Sequence, residues 1–456
     1  MKYYDRVLET TTTTGSGNLT LAGATTGYKS FYDTVGTSGY CSYGIVDDTN
    51  NAWEIGLGQI QGTGNVLYRQ SILASSNSNS LVNFSAGTKN VFLNAGAEFA
   101  NKQEHINLIW NGNFDIWQAG TSFTSPSNGQ AIADSWYYSK NNTATHDVSR
   151  STDVPTVAQS NCFSNYSVLV DCTATDASIA AGDYAGLYCR IEGFDWQPFA
   201  QRTITLSFWV KATKTGIYCI SLRNSGYDRS YVAEYTINAS DVWEKKIITI
   251  SASPSGGTWD YTNGMGLDIF FALAAGSSFY TTKDAWQTGS YLITSSQVNA
   301  LDSTSNNFRL AQVKIEPGRI ATTFIPQSFD KLLRKAQRYY ETTYAHGVTV
   351  PTAGGTEPTA FMRTLVPSNT VANGQSSNRI NFKVSKRTTP TVTVYPYNTP
   401  TNTGRVSDST PTDEAANTGT VLLISDAGFS IYNNSGASYT TTLLGIIWAW
   451  QADARL

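Results

Sequence analysis

A chain of 456 residues is long enough for about three domains, each with its own core. Charged residues are only 14%, against roughly a quarter in an average soluble protein, while Gly, Thr, Ser, Asn and Tyr abound, as in short strands joined by tight turns. With Lys+Arg 31 against Asp+Glu 34, no overall field steers the chain to nucleic acid or to an acidic membrane.

The opening MKYYDRVLETTT carries no apolar core of a secretory signal. The longest apolar runs, Ile269 to Ala275 and Leu443 to Trp450, are far too short to span a bilayer. The expectation is a soluble chain made in a cytosol. Cys41, Cys162, Cys172, Cys189 and Cys219 are odd in number and form no C-x-x-C pair, so they are expected to be buried reduced thiols.

Residues 1–100 alternate short β-runs with turns: DRVLETTTTT, GNLTLAG, YCSYGIVDD, AWEIGLGQI, NVLYRQSILASS and NVFLNAG. The threonines Thr10 to Thr14 suit an extended strand, because β-branched side chains favour the pleated backbone. Several of these motifs in order, with YKSF and VNFSAGTKNVF, resemble an N-terminal module of tailed-bacteriophage tail and fibre proteins. The resemblance implies a virion-attachment β-domain over 1–100, docked to other phage virion proteins.

Asn101 to Glu104 read as a polar connection, and a domain spanning 105–325 opens with INLIWNGNFDIWQAGTSF. Ile204, Leu206, Phe208 and Val210 alternate with Thr205, Ser207, Trp209 and Lys211, a half-buried strand. Leu267, Ile269, Phe271 and Leu273 repeat the pattern, and in FRLAQVKIEPG the residues Ala311, Val313 and Ile315 are expected to share one face. Eight or more such strands without helical periodicity argue for a two-sheet jelly roll. The order NGNF, TITLSFWVKA, WEKKIITI, FRLAQVKIEPG resembles the β-sandwich of carbohydrate-binding modules, and NGNFDIWQAGTSF with ADSWYY resembles phage tail-fibre versions of it. In the sugar-binding relatives a structural Ca²⁺ ties the first strand to an acid in the last. Asn111, Asn113 and Asp115 offer oxygens here, but Gln312 stands where the acid is expected, which counts against calcium. No other cofactor is implied.

Ser328 to Tyr344 reads as the one long helix, placing a connecting element at 328–345. Phe329, Leu332, Ala336, Tyr339 and Thr343 fall at 3-4-3-4 spacing, with Lys331, Arg334, Lys335 and Arg338 on the opposite, solvated side. Such a two-heptad seam suits a short parallel homotrimer, or packing on the helix's own domain. Residues 346–456 return to strands, interrupted by an exposed polar loop from Asn398 to Thr420. KAQRYYE, VSKRTTPTVTVY and the closing AWQADARL together resemble the C-termini of phage tail fibres, which implies a distal β-domain and favours it for host specificity.

The chemistry of catalysis is hard to find. His105, His146 and His346 lie far apart, and no zinc set, Ser-His-Asp spacing or phosphate-binding loop occurs. Asp47 with Asp48 and Asp413 with Glu414 are adjacent pairs in turns, explained by solvation. Aromatic surface is the stronger signal: Trp196, Trp209, Tyr218, Tyr227, Tyr231 and Trp259 are candidates for stacking on sugar faces, against the alternative that they fill a sheet face or a subunit interface. The reading is a mainly β, non-enzymatic virion component, assembled in the host cytoplasm: a tail fibre or receptor-binding protein adhering to host cell-surface polysaccharide. A non-binding structural or decoration protein of head, collar or tail, and a glycan depolymerase, are the rivals.

Overall fold

A computed structural model describes residues 5–36, 39–61, 65–94, 107–366, 375–407, 418–434 and 444–456. The chain divides into two compact units: Met1–His105 with Gly318–Thr323, and Ile106–Pro317 with Phe324–Leu456. The fold is mainly β, built of several antiparallel sheets. The connection Asn101 to Glu104 and His105 lie outside the described residues.

In the first unit, each of the six β-runs holds a strand, and they form one antiparallel sheet in the order Leu8–Thr11, Lys89–Leu93, Tyr40–Asp47, Ala52–Gln61, Val66–Ser75, Leu19–Thr20. One face covers a core of Phe31, Tyr43, Ile45, Ile60, Leu67, Phe84 and Val91. Within it Glu54 pairs with Arg69 and accepts from Tyr43 Oη at 2.8 Å and Val82 N at 2.9 Å. Gly56 and Gly58 leave room for the Tyr43 ring, since a Cβ would come within 2.5 Å of its hydroxyl at Gly56 and 3.0 Å of its ring at Gly58.

The second unit contains a sandwich of two antiparallel sheets. One has six strands in the order Glu244–Ile250, Ile204–Ala212, Asn307–Pro317, Ser167–Ala174, Thr145–Ser151, Ser122–Thr124. The other has seven: Trp286–Thr288, Arg229–Ile237, Gly216–Arg223, Met265–Ala275, Tyr184–Glu192, Trp136–Asn141, Gln130–Ala131. The chain crosses repeatedly between the sheets, and the core takes Ile204, Leu206, Phe208 and Val210 from one and Leu267, Ile269, Phe271 and Leu273 from the other, matching the alternation in the sequence, although Thr205, Ser207 and Trp209 on the opposite face, expected to leave the strand half-buried, are buried as well.

The phase of the last sandwich strand departs from expectation. Phe308, Leu310, Val313 and Ile315 face the core, whereas Ala311 lies with Trp209 and Trp243 on the other side. The cause is a bulge: Gln312 sits at φ 50°, the register slips between Ser207 and Trp209, and the inward phase shifts by one residue.

The long helix is half its expected length. It spans Phe329–Gln337, and Tyr340–Thr342 is already a strand paired with Leu444–Asp453. The aromatic and β-branched run YYETTY favours the pleated backbone once a partner strand is present. The seam expected for a trimer is therefore taken up within the chain: Leu332, Ala336 and Tyr339 pack on Trp110 and Ile116, with Tyr339 stacked on Trp110 at 5.9 Å. Thr343 Oγ1 accepts from Trp450 N at 3.1 Å, and only Phe329 is exposed. The basic side is not simply solvated, because Arg338 binds Glu192 and Lys335 binds Asp195.

Beyond the helix, Leu444–Asp453 pairs with Tyr340–Thr342, Met362–Val366 and Thr391–Tyr395, while Gln375–Asn381, Gly428–Asn434 and Thr418–Ser425 form a three-stranded sheet. These strands and the sandwich belong to the same compact unit. Arg190 Nη1 donates to Leu456 O at 2.7 Å, and Arg387 Nη2 to Arg455 O at 2.9 Å. The expected loop 398–420 is shorter than its composition implied. Val406 is buried in the local core, Gly404 N donates to Val394 O, and Thr418 to Thr420 begin a strand; residues 408–417 lie outside the described set.

Candidate functional site

The candidate glycan-binding aromatics separate into four places. Trp196 ends the short helix Gly193–Trp196, which is stitched to the 260–264 loop by Gly193 N to Gly264 O at 2.8 Å and Phe194 N to Thr262 O at 2.7 Å. Its indole stacks on Trp259 with centroids 5.8 Å apart and planes 21° apart. Trp259 meets Trp286 edge-on at 5.8 Å, and Trp286 lies 5.6 Å from Tyr231, its cross-strand partner. Trp196 and Tyr231 are buried and anchor this ladder in the core; Trp259 and Trp286 are half-buried. Trp286, from the turn-rich TTKDAWQTG, was missed in the sequence because nothing local marks it as a neighbour of Trp259.

A polar loop borders the ladder and is locked by its own hydrogen bonds. Asn224 Nδ2 donates to Asp228 Oδ1 at 2.6 Å and to Thr258 O at 2.8 Å, and Thr258 N donates to both Asp228 oxygens at 3.1 Å. These donors, Asn224 first, hold the half-buried Asp228 carboxyl below its ordinary range. Trp259 Nε1 is spent on Gly256 O and Trp286 Nε1 on Ser251 O, so the indoles are fixed by their edges. The arrangement is a rigid aromatic ledge beside a carboxylate, suited to stacking on a sugar face and accepting from its hydroxyls.

The other candidates lie elsewhere. Trp209 is 8% exposed against Trp243 and Ala311 on the outer side of the six-stranded sheet, and Tyr218 is 1% exposed, stacked on Tyr235 in the core. Neither presents a face to a ligand. Tyr227, at φ 51°, accepts from Arg190 Nη2 at 3.1 Å and lies 4.7 Å from the Arg223 guanidinium. It belongs to a charged row, Arg190–Asp268–Arg223, placed side by side by strand register on the outer face of the seven-stranded sheet. Next to this row runs an aromatic one, Tyr137–Tyr188–Phe270. Arg190 and Tyr137 also border a small cleft with Asp134, which burial pushes up to about 6 although Gln118 donates to it twice at 2.8 Å.

The residues considered for calcium do not fit that ion, which takes about six to eight oxygens. Asn111 is buried and spends its amide on Ile116 and Asp134 main-chain groups. Gln312 brings N–H donors, giving to Ser160 Oγ at 3.1 Å and Ser164 Oγ at 2.8 Å. Ser164 donates on to Asn113 Oδ1, and Asn113 Nδ2 to Asp115 Oδ2. Asp115, raised by burial, is the one carboxylate of this relay. Among the described residues no group of three or more His, Cys, Asp or Glu side chains is placed to hold a metal.

The two described histidines serve separate structural roles: buried His146 contacts Tyr138, and His346 Nε2 accepts from Trp117 N at 2.9 Å. All five cysteines are buried and unpaired, and burial pushes the Cys41 thiol up to about 12. No helix among the described residues is long and apolar enough to cross a membrane.

The chain matches no family model and no curated protein. Solved structures similar to it include the enzymatically active domain of bacteriophage CBA120 tailspike protein 4, at 14% identity and TM-score 0.24, covering 43% of this chain and 21% of that one. This chain therefore spans about a fifth of that protein's length. A putative sugar binding protein from Bacteroides thetaiotaomicron is similar at 13% identity and TM-score 0.29, covering 47% of this chain and 100% of its own. TmCBM61 in complex with β-1,4-galactotriose is similar at 11% identity and TM-score 0.25, covering 47% and 99%. Similarity this low says nothing of what this chain binds.

Proposed function

We propose that this chain is a non-enzymatic virion protein of a tailed bacteriophage, a tail fibre or receptor-binding protein that adheres to host-surface polysaccharide. The observation that carries the reading is the ladder Trp196–Trp259–Trp286–Tyr231, in which two buried rings hold two half-buried indoles beside a pre-ordered carboxylate. Rigid side chains lose little entropy on binding, and each stacked ring contributes about 1 kcal/mol. The virion assignment is supported by the motif resemblances at both ends of the sequence, with the N-terminal unit as the part attached to other virion proteins. On this reading the glycan is held by the sandwich, where the ring ladder lies, and not by the C-terminal strands.

The test is binding of the purified chain to envelope polysaccharide of the host, followed by calorimetry, with released reducing ends assayed in parallel. Wild type should bind without releasing ends, and Trp259→Ala should weaken binding about five- to ten-fold. Equal binding by wild type and Trp259→Ala would remove the ladder from the site, and growth of reducing ends would replace adhesion by hydrolysis.

A further inference from the structure

The N-terminal sheet is inverted in polarity. Its six strands contain five charged residues, Glu9, Asp47, Glu54, Arg69 and Lys89, and all five side chains are buried. Each is satisfied there. Glu9 accepts from Gly23 N and Phe31 N, Asp47 from Asn50, Glu54 from Arg69, and Lys89 donates to Ser85 O and Gly87 O.

The opposite face carries Tyr40, Trp53, Ile55, Leu57, Tyr68 and Phe92. None of these belongs to a hydrophobic core, and Tyr40, Trp53 and Tyr68 are 59%, 39% and 41% exposed. Cross-strand register makes the face continuous: Tyr40 opposes Gln59, which opposes Tyr68, and Phe92 opposes Gly44, which opposes Ile55. A Cβ on Gly44 would lie 2.7 Å from the Phe92 ring, so the glycine lets that ring lie across the sheet. Soluble monomers rarely leave so broad an apolar face open to water.

We propose that this face is a self-association surface, covered by a second copy of this chain. Charge and area argue for a copy. The face offers no ionic group to attract an oppositely charged partner, and two such faces brought together by symmetry meet without like-charge repulsion. Five strands about 4.8 Å apart and some 20 Å long present roughly 500 Å² on each copy, close to the ~1,000 Å² total that a specific interface needs. Flat sheet faces pack on one another by interdigitating side chains, as within a β-sandwich.

Sedimentation velocity of the full chain over a wide concentration range tests this, with circular dichroism as a check on folding. Wild type should associate reversibly. Ile55→Lys should weaken association by roughly thirty-fold, as expected of a central apolar contact, with an unchanged spectrum. Tyr40→Lys alters a side chain already in water and serves if Ile55→Lys fails to fold. Leu423→Lys changes an exposed aliphatic residue of the C-terminal sheet and should leave association unaltered. A wild type that stays monomeric at every concentration overturns the proposal. So does association that survives the folded N-terminal variants, or that Leu423→Lys alone abolishes.

Discussion

The outer faces of two sheets use similar parts and end differently. On the seven-stranded sheet of the sandwich, Tyr137, Tyr188 and Phe270 form a row, and Phe270 lies across Gly186. On the N-terminal sheet Phe92 lies across Gly44 in the same way. The first face is roofed by its own chain. Leu292, Ile293, Phe279 and Tyr291 cover the aromatics, Ser221 Oγ donates to Tyr291 O at 2.6 Å, and Leu456 O takes a bond from Arg190. Among the described residues of its own unit the second face has no such cover, and its charges point inward. A sheet that supplies its own roof can keep ion pairs on the covered face, whereas an unroofed sheet free of outward charge is prepared for another surface. Whether a face is finished within the chain depends on segments remote in sequence.

The sharpest way to break the contrast is Asp268→Ala. Its carboxylate is 1% exposed between Arg190 and Arg223, so removing it leaves two guanidinium groups beneath the roof without their shared counter-ion. A loss of roughly 3–5 kcal/mol is expected, read by urea unfolding followed through tryptophan fluorescence. That signal reports chiefly on the second unit, since Trp53 is the only one of the 11 tryptophans before residue 105.

Acidification should separate the units next. Burial lowers His146 to about 4 and also lowers His346. A histidine whose folded pKa is depressed leaves the unfolded chain binding more protons between the two values, so stability is full above about 6.5 and falls as pH drops toward 4. Asp134, raised to about 6, acts oppositely, because its folded form takes up the proton first as pH falls from 6 toward 3.8. The two shifts are similar in size, about 3 kcal/mol each, so the second lowered histidine, His346, tips the balance toward loss of stability. Residues 1–104 contain no histidine, so hydrogen exchange at pH 7 and pH 4.5 should show greater loss of protection in the sandwich than in the N-terminal sheet. His146→Phe should flatten the difference.

The smallest effect compares the two glycines. A Cβ at Gly186 would lie 2.4 Å from the Phe271 carbonyl oxygen and 2.6 Å from the Phe270 ring, which is itself covered. At Gly44 its nearest neighbour would be the Phe92 ring, at 2.7 Å, whose side chain is half-exposed. Gly186→Ala should cost about 1–3 kcal/mol and Gly44→Ala less than about 1 kcal/mol, measured by thermal unfolding. Equal costs would mean that the two faces are equally confined.

Much of this was legible in the chain. β-Rich runs between turn signals located the six N-terminal strands, and period-two alternation the core strands Ile204–Ala212 and Met265–Ala275, because each presents one face to the core and the side-chain period of a strand is fixed. Aromatic content located Trp196, Tyr231 and Trp259 among the candidate residues. Local pattern failed where a remote partner decides the outcome. A helical spacing from Ser328 to Tyr344 was cut at Gln337 because Leu444–Asp453 offers Tyr340–Thr342 a strand to pair with, and of the two readings of the apolar stripe the structure shows packing within the chain, against Trp110. The sequence by itself determined strand content, turn positions and which residues are apolar, all set by nearest neighbours and backbone geometry. Only the tertiary structure decided that Trp209 and Tyr218 are packed away while Trp259 meets Trp286, and that the five charges of the N-terminal sheet face inward. Burial and contact are properties of surfaces joined across long stretches of chain, and no local window contains both sides.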